Sequence, residues 1–306
     1  MIVCLTPNPA LDWTIVIPGF KAQHVNRASS TTVVAGGKGL NVARAVRTLG
    51  GMPNCVGFLG GNDGRQLAAL ADDEGLRSHW TWISGETRTC VIVADPEIGR
   101  STVINDVGPS VSKGDWDRLT QDVLDASQEA QFVCSSGSLP PDSPQDSFAG
   151  MLSALRERDK HIWVDISGAS LQTALSVPGI GIKINHEEAG ALLDTTIGSV
   201  DDAFAAADAL SAGGTRPVVI TLSPPAAVML LDGQRYVAYP PHIRSLNNVG
   251  SGDSFTAGLV TALDQGRGPD EALRWGVAAG AANALTISGA HFSPEDFQRI
   301  LEQTTT

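Results

Sequence analysis

No run of 18 apolar residues occurs anywhere in the 306-residue chain, so a membrane-spanning helix is not expected. Basic side chains are also scarce. Lys and Arg number 21 against 33 Asp and Glu, for a formal net charge of −12. A surface so poor in cations does not suit nucleic-acid phosphates. The four cysteines, Cys4, Cys55, Cys90 and Cys134, lie far apart in apolar runs without a C-x-x-C pair. They read as buried thiols rather than zinc ligands or a redox couple. Six histidines are scattered with no His-x-x-x-His, so no histidine metal site is expected. The opening residues lack a basic stretch followed by a long apolar one, which argues against a signal peptide and for a cytoplasmic protein. Repeats, low-complexity segments and linkers are missing too.

What is present is an alternation of short apolar runs and helical patterns. Strands are expected at Ile2–Thr6, Asn54–Leu59, Phe132–Ser135, His161–Ile166, Ile180–Ile184 and Val218–Leu222. Helices fall between them at about 39–49, 63–74, 114–127, 143–159, 187–193 and 201–212. This pattern implies a mostly parallel sheet covered on both faces. Ala227–Leu231 and Arg235–Tyr239, joined by Asp232-Gly233, read as a β-hairpin. The last third is helical, at about 253–264, 270–286 and 294–302. Residues 12–34 and 87–105 interrupt the alternation with four further strands, which suggests a small β lid on one domain spanning 1–306.

Residues 247–258, Asn-Asn-Val-Gly-Ser-Gly-Asp-Ser-Phe-Thr-Ala-Gly, organise the rest. Gly250, Ser251 and Gly252 form a turn that runs into a helix, aiming free N–H groups and the positive helix end at one point. Asp253 in that place would compete with an anion unless it acts as a proton acceptor for an attacking hydroxyl. Ordinary helix capping by Ser251 or Asp253 is the alternative. A second glycine-rich turn, Gly36-Gly-Lys-Gly-Leu-Asn-Val-Ala-Arg44, also opens a helix. It is not a Walker P-loop, because Gly39 follows Lys38 where Ser or Thr is required. It reads either as an anion site with Asn41 near a sugar hydroxyl or as a tight turn with a solvated lysine.

Together the two turns resemble the signatures of the PfkB-type family of the ribokinase superfamily, ATP-dependent sugar kinases. Thr6-Pro-Asn-Pro-Ala-Leu-Asp12, Ser136-Gly-Ser-Leu-Pro140, Val164-Asp-Ile-Ser-Gly168 and Lys183-Ile-Asn-His-Glu-Glu188 resemble further family segments in the same order. The resemblance implies a ribokinase-like three-layer α/β/α fold with a mostly parallel central sheet and a small β-sheet lid. Val25-Asn-Arg27, Lys38 and Glu86-Thr-Arg88 are most similar to the phosphosugar kinases of the family. A ketohexose phosphate, fructose 1-phosphate or tagatose 6-phosphate, is the implied acceptor. A fructose 6-phosphate, free-sugar or nucleoside kinase, or a non-catalytic binder, is the alternative.

Carried over residue by residue, Asp253 matches the catalytic base, with Gly250, Ser251 and Gly252 donating N–H groups to the transferring phosphoryl group. Asp12, at the end of the first strand, Gly37 and Asn41 match sugar-binding positions. Lys38 and Arg88 are candidates for the substrate phosphate, and Arg27 is either a third or a solvated lid charge. Lys183, Thr221, Ser223 and Asn283 match positions around ATP. Asn185 and Glu188 fit an N-x-x-E pattern that organises Mg²⁺ through water, although Asn185 also reads as a helix cap. The resemblance further implies a homodimer formed through the lid, with neither nucleic acid nor membrane as partner. Two departures stand out. The strand read as Ser101–Asn105 carries no basic residue, with Arg100 just before it, which disfavours fructose 6-phosphate. The loop Thr221-Leu-Ser-Pro-Pro-Ala-Ala227 also lacks the family's glycines, and Pro224 and Pro225 supply no N–H.

Overall fold

The computed structural model describes residues 1–223, 225–286 and 289–306, and for Gln145 the backbone alone. The first third contains β1 (Ile2–Thr6), β2 (Ala10–Val16), β3 (Ser30–Gly36), α1 (Lys38–Thr48), β4 (Pro53–Gly60), α2 (Gly61–Asp73), β5 (Arg77–Ile83), β6 (Arg88–Asp95) and β7 (Arg100–Ile104). Next come α3 (Lys113–Ala126), β8 (Phe132–Ser136), α4 (Gln145–Arg156), β9 (His161–Asp165), α5 (Ala169–Leu175), β10 (Gly181–Asn185), α6 (His186–Leu193) and α7 (Val200–Ala212). The chain continues through β11 (Val218–Leu222), β12 (Ala226–Leu231), β13 (Gln234–Ala238), α8 (Ser251–Asp264), α9 (Pro269–Ala284) and α10 (Pro294–Gln303).

Nine strands form the main sheet in the order β13-β12-β11-β10-β9-β8-β1-β4-β5. It is parallel from β5 to β11, and β12 and β13 add an antiparallel edge. Side chains alternate across it. Ile2 and Cys4 enter a core shared with α1, α8 and α9, whereas Val3 and Leu5 enter one shared with α3, α4 and α7. Each fully buried Leu or Phe, such as Leu40 on α1 or Phe148 on α4, contributes about 1.5–3 kcal/mol through lost apolar exposure. All four cysteines are buried free thiols.

The four lid strands form a separate sheet, β3-β2-β6-β7. Two elements were not expected from sequence, β5 and α5. β5 is an edge strand with a mixed exposed and buried pattern, and α5 is only 7 residues long, so neither has strong periodicity. The order of the main sheet reverses between β1 and β8, because the chain runs from β1 out to β5 and returns on the far side. The strand ends beside such a reversal leave a crevice where ligands bind in open α/β sheets. Thr6, Ser136, Asp165 and Asn185 end the strands around it.

Candidate active site

Helix α8 begins after Gly250, whose left-handed backbone (φ 81°, ψ −2°) is its N-cap, and no side chain caps the helix. The capping alternative for Ser251 and Asp253 therefore does not hold. Ser251 Oγ accepts a hydrogen bond from Asn283 Nδ2 (3.0 Å). Asp253 Oδ2 accepts from Asn41 Nδ2 on α1 (2.8 Å). The first-turn N–H groups of Gly252 and Asp253 have no carbonyl within the helix to bond, so they face the crevice with the positive helix end. Asp253 is only 5% exposed. Burial, and after it the Asp165 charge, push its pKa up to about 6 against the Asn41 hydrogen bond and the charges of Lys38 and Lys183.

Asp165, at the end of β9, ties the site together. Its Oδ1 meets Lys38 Nζ at 3.4 Å, and its Oδ2 meets Lys183 Nζ at 3.1 Å and Thr256 Oγ1 at 3.3 Å. Burial alone would raise the pKa of this carboxyl, but the two ammonium groups together hold it below the usual range. Lys38 is held above its ordinary value, first by Asp165 and further by Asp253 and Glu188. The lysine expected at the substrate phosphate thus faces the carboxylates of the site floor. Asp165 lies in a segment noted for its resemblance but had been given no role. The available signal was a carboxylate closing a buried apolar strand. Gly252 lets α8 approach this cluster, since a Cβ there would stand 2.7 Å from Lys183 Nζ.

A cleft of about 560 Å³ opens beside the start of α8, bordered by Thr221, Ser223, Pro225, Ser251, Gly252 and Phe255 among others. Thr221 and Ser223 therefore share one cleft with Ser251. Of the two prolines singled out there, Pro225 is on the wall and Pro224 lies outside the described residues. Asn283 does not line the cleft. It is fully buried, its Nδ2 donating to Val249 O (2.9 Å) and Ser251 Oγ and its Oδ1 accepting from Ala290 N, so it braces the turn before α8. Asn185 is the N-cap of α6. Its side chain accepts from Glu188 N (2.8 Å) while Glu188 Oε2 accepts from Asn185 N (3.0 Å), a complete capping box. Glu188 remains near enough to act on Lys38. No group of three or more His, Cys, Asp or Glu suited to a metal ion occurs among the described residues.

On the lid, Asp12 lies within β2, not at the end of the first core strand, paired with Val34 and Cys90. Gly36 makes room for it, because a Cβ at 36 would fall 2.2 Å from the carboxyl carbon. Burial pushes the Asp12 pKa up to about 6, with Arg88 and Arg44 pulling it down, and no hydrogen bond engages its carboxylate among the described residues. Gly37 is the N-cap of α1 with φ 119°. Arg88 donates to the carbonyls of Asp106 and Asn8, both at 2.8 Å, and its buried Nε has no partner among the described residues. Arg27 is exposed on the loop between β2 and β3. Arg100 corrects the sequence reading, because it is the first residue of β7 and not a residue before it. It pairs with Asp95, seven residues along β6 from Arg88, or about 23 Å at the rise of a strand. The end of β7 nearer Arg88, at Val103-Ile104, has no cation.

The site thus joins an uncapped glycine-led helix start, a buried carboxylate on it and two facing lysines. The match of residues 9–296 to the model of the pfkB family carbohydrate kinases shows that the chain belongs to that family. It is 30% identical to the 1-phosphofructokinase of Bacillus subtilis, over 94% of this chain and 93% of that one. It is 29% identical to a tagatose-6-phosphate kinase of Staphylococcus epidermidis, over 99% and 98%. The crystal structure of phosphofructokinase-2 from Escherichia coli with potassium superposes with a TM-score of 0.93 at 28% identity, covering 99% of this chain and 98% of that one. The protein is a carbohydrate kinase with the ribokinase-like three-layer fold and β lid.

Proposed function

We propose that this kinase transfers the γ-phosphoryl group of ATP to a ketohexose phosphate, making a bisphosphate, with fructose 1-phosphate or tagatose 6-phosphate as acceptor. The observation that carries the proposal is Asp253, buried, gripped by Asn41 and set on the uncapped start of α8 opposite Lys38 and Lys183. Asp253 takes the proton of the sugar hydroxyl as its oxygen attacks the γ-phosphorus, and the bond to ADP breaks. N–H groups at the start of α8 and the two lysines stabilise the charge on the phosphoryl group in transit. Asp12, whose carboxylate has no hydrogen bond among the described residues, binds sugar hydroxyls. Arg88, with N–H groups to spare, holds the acceptor's own phosphate, as the names of the 1-phosphofructokinase and tagatose-6-phosphate kinase relatives support.

The nucleotide occupies the cleft beside Thr221 and Ser223. Mg²⁺ bound with the nucleotide would supply positive charge to its phosphates. Mg²⁺ usually keeps several waters, so Glu188, close enough to act on Lys38, would reach it through water. The lid closes over the sugar as a part of the same domain and excludes water. β7 is an edge of the lid sheet and exposes Val103 and Ile104, at 50% and 59%, so a homodimer formed through the lid would cover apolar side chains there. No helix among the described residues is long and apolar enough to cross a membrane, and we place the enzyme in the cytoplasm.

The test is ADP release with Mg·ATP against fructose 1-phosphate, tagatose 6-phosphate, fructose 6-phosphate and fructose. Turnover on a phosphorylated ketose should fall about 10²–10⁴-fold in a folded Asp253→Asn variant. Near-normal turnover in that variant would falsify the assignment of the base.

A further inference from the structure

Behind Asn41 lies a buried ion pair with no part in the chemistry above. Arg44, one turn further along α1, is 4% exposed. Its Nε and Nη2 donate to the carboxylate of Glu74 at the end of α2, with Nη2–Oε1 at 2.7 Å. Nη2 also donates to the Ala35 carbonyl on β3, and Nη1 donates to Asn41 Oδ1 at 3.1 Å. The other end of the same amide donates to Asp253 Oδ2. A guanidinium has donors and no acceptor, so the amide oxygen must face Arg44 and the NH₂ must face Asp253. A flipped amide would set N–H against N–H at one end and oxygen against carboxylate at the other.

We propose that Arg44, locked by Glu74, is a positioning residue for the catalytic base. It fixes the Asn41 amide as a permanent donor to one oxygen of Asp253 and leaves the other oxygen for the sugar hydroxyl. The proposal rests on the reading of Asp253 as the base. The charged and titratable groups that face Asp253 are Lys38 from α1, Asp165 from β9 and Lys183 from β10, and none of them touches Arg44. Without Arg44 the amide is free to turn about its broad terminal torsion. Its hydrogen bond to the ionised carboxylate is then kept for only part of the time.

The deciding readout needs no substrate. The side-chain amide resonances of Asn41 are identified in ¹⁵N-labelled protein by their loss in Asn41→Ala and followed through a pH titration. In the parent protein they should titrate with Asp253, at a midpoint near its value of about 6. Arg44→Lys keeps a cation for Glu74, and therefore the fold, but a single ammonium does not reproduce the fork that holds Asn41. The midpoint should rise by about 0.5–1 pH unit as the ionised form loses its donor. Turnover should fall about tenfold with KM for Mg·ATP unchanged. Glu74→Gln, at the rim of the pair, should move the midpoint the same way by less, and it carries the test if Arg44→Lys unfolds. A role confined to stability would lower Tm and leave the midpoint where it was, which overturns the proposal. Titration of the amide that persists in Asp253→Asn overturns it as well. Retained turnover in Asp253→Asn overturns only the reading of the base.

Discussion

On the floor of the site side chains hold one another's charges, whereas the lid forms no ion pair among the described residues. Asp165 is held by Lys38, Lys183 and Thr256, and Asp253 by Asn41, which Arg44 and Glu74 hold in turn. The lid exposes Arg27 and all of β7, and the Asp12 carboxylate has no hydrogen bond among the described residues. Buried polar groups are costly unless paired, and a paired network is rigid, so the floor is arranged before any ligand arrives. The lid's unspent groups are free to be satisfied by the sugar. Under the proposed function the chemistry falls to the buried part and the choice of acceptor to the lid.

Asp165→Asn is the most severe way to break that contrast. It strips the anion from between two lysines, and Lys183, whose side chain is 8% exposed, does not reach water as Lys38 does. Breaking a buried pair costs about 3–5 kcal/mol, so a large fall in stability by chemical denaturation is expected. Turnover should fall at least about 100-fold. The residual activity carries a signed signature. Asp165 raises the pKa of Asp253, so its loss lowers it, and the acid limb of the kcat/KM profile moves to lower pH. This is opposite to the shift expected for Arg44→Lys. An unmoved limb would mean that the floor is not one electrostatic unit.

Arg88→Ala tests the lid half. A charge-assisted hydrogen bond is worth about 1.5–3 kcal/mol, which predicts a rise of about 10–100-fold in KM for the phosphorylated sugar with little change in KM for Mg·ATP. Arg100→Ala, at the far end of the lid, is the control and should leave both constants within about twofold. Equal effects of the two substitutions would dissolve the distinction between a site end and a distal end of the lid.

The framework was legible because its signals are periodic. Buried parallel strands read as continuous apolar runs, and even the lid showed as an interruption of the alternation. Edge strand β5 and short α5 escaped for want of such a signal. At the site, the glycine-led helix start and Asp253 were legible because turn chemistry is local. The partners were not, since Asp165 lies 88 positions before Asp253 and meets it only through the parallel sheet. Asn283 and Asn185 show the converse limit. A polar residue near a motif reads as a ligand contact, yet the Asn283 amide holds the turn before α8 and Ser251, and the Asn185 side chain caps α6, the alternative its sequence also allowed. Arg100 was separated from its strand by one residue, the usual uncertainty of an element boundary.

Asp12→Asn carries the smallest effect and separates function from stability. Burial raises the Asp12 pKa from 3.8 to about 6, so the folded chain binds this proton more readily than the unfolded one. Near pH 7 both states are ionised and the folded state bears the cost of a desolvated charge. As pH falls through about 6 the folded carboxyl takes up its proton and that cost is relieved, completely below the unfolded value of 3.8. At about 1.4 kcal/mol per pH unit, and discounted for residual solvent, the neutral amide should stabilise the protein by about 1–2 kcal/mol near pH 7. The advantage should shrink below pH 6 and vanish below 3.8, while activity on the sugar is lost throughout. Denaturation curves of both proteins at about pH 7.5 and about pH 4 read the difference. If Asp12→Asn were the less stable protein at the higher pH, Asp12 would be a brace of the lid itself, and the lid would have to be counted with the floor.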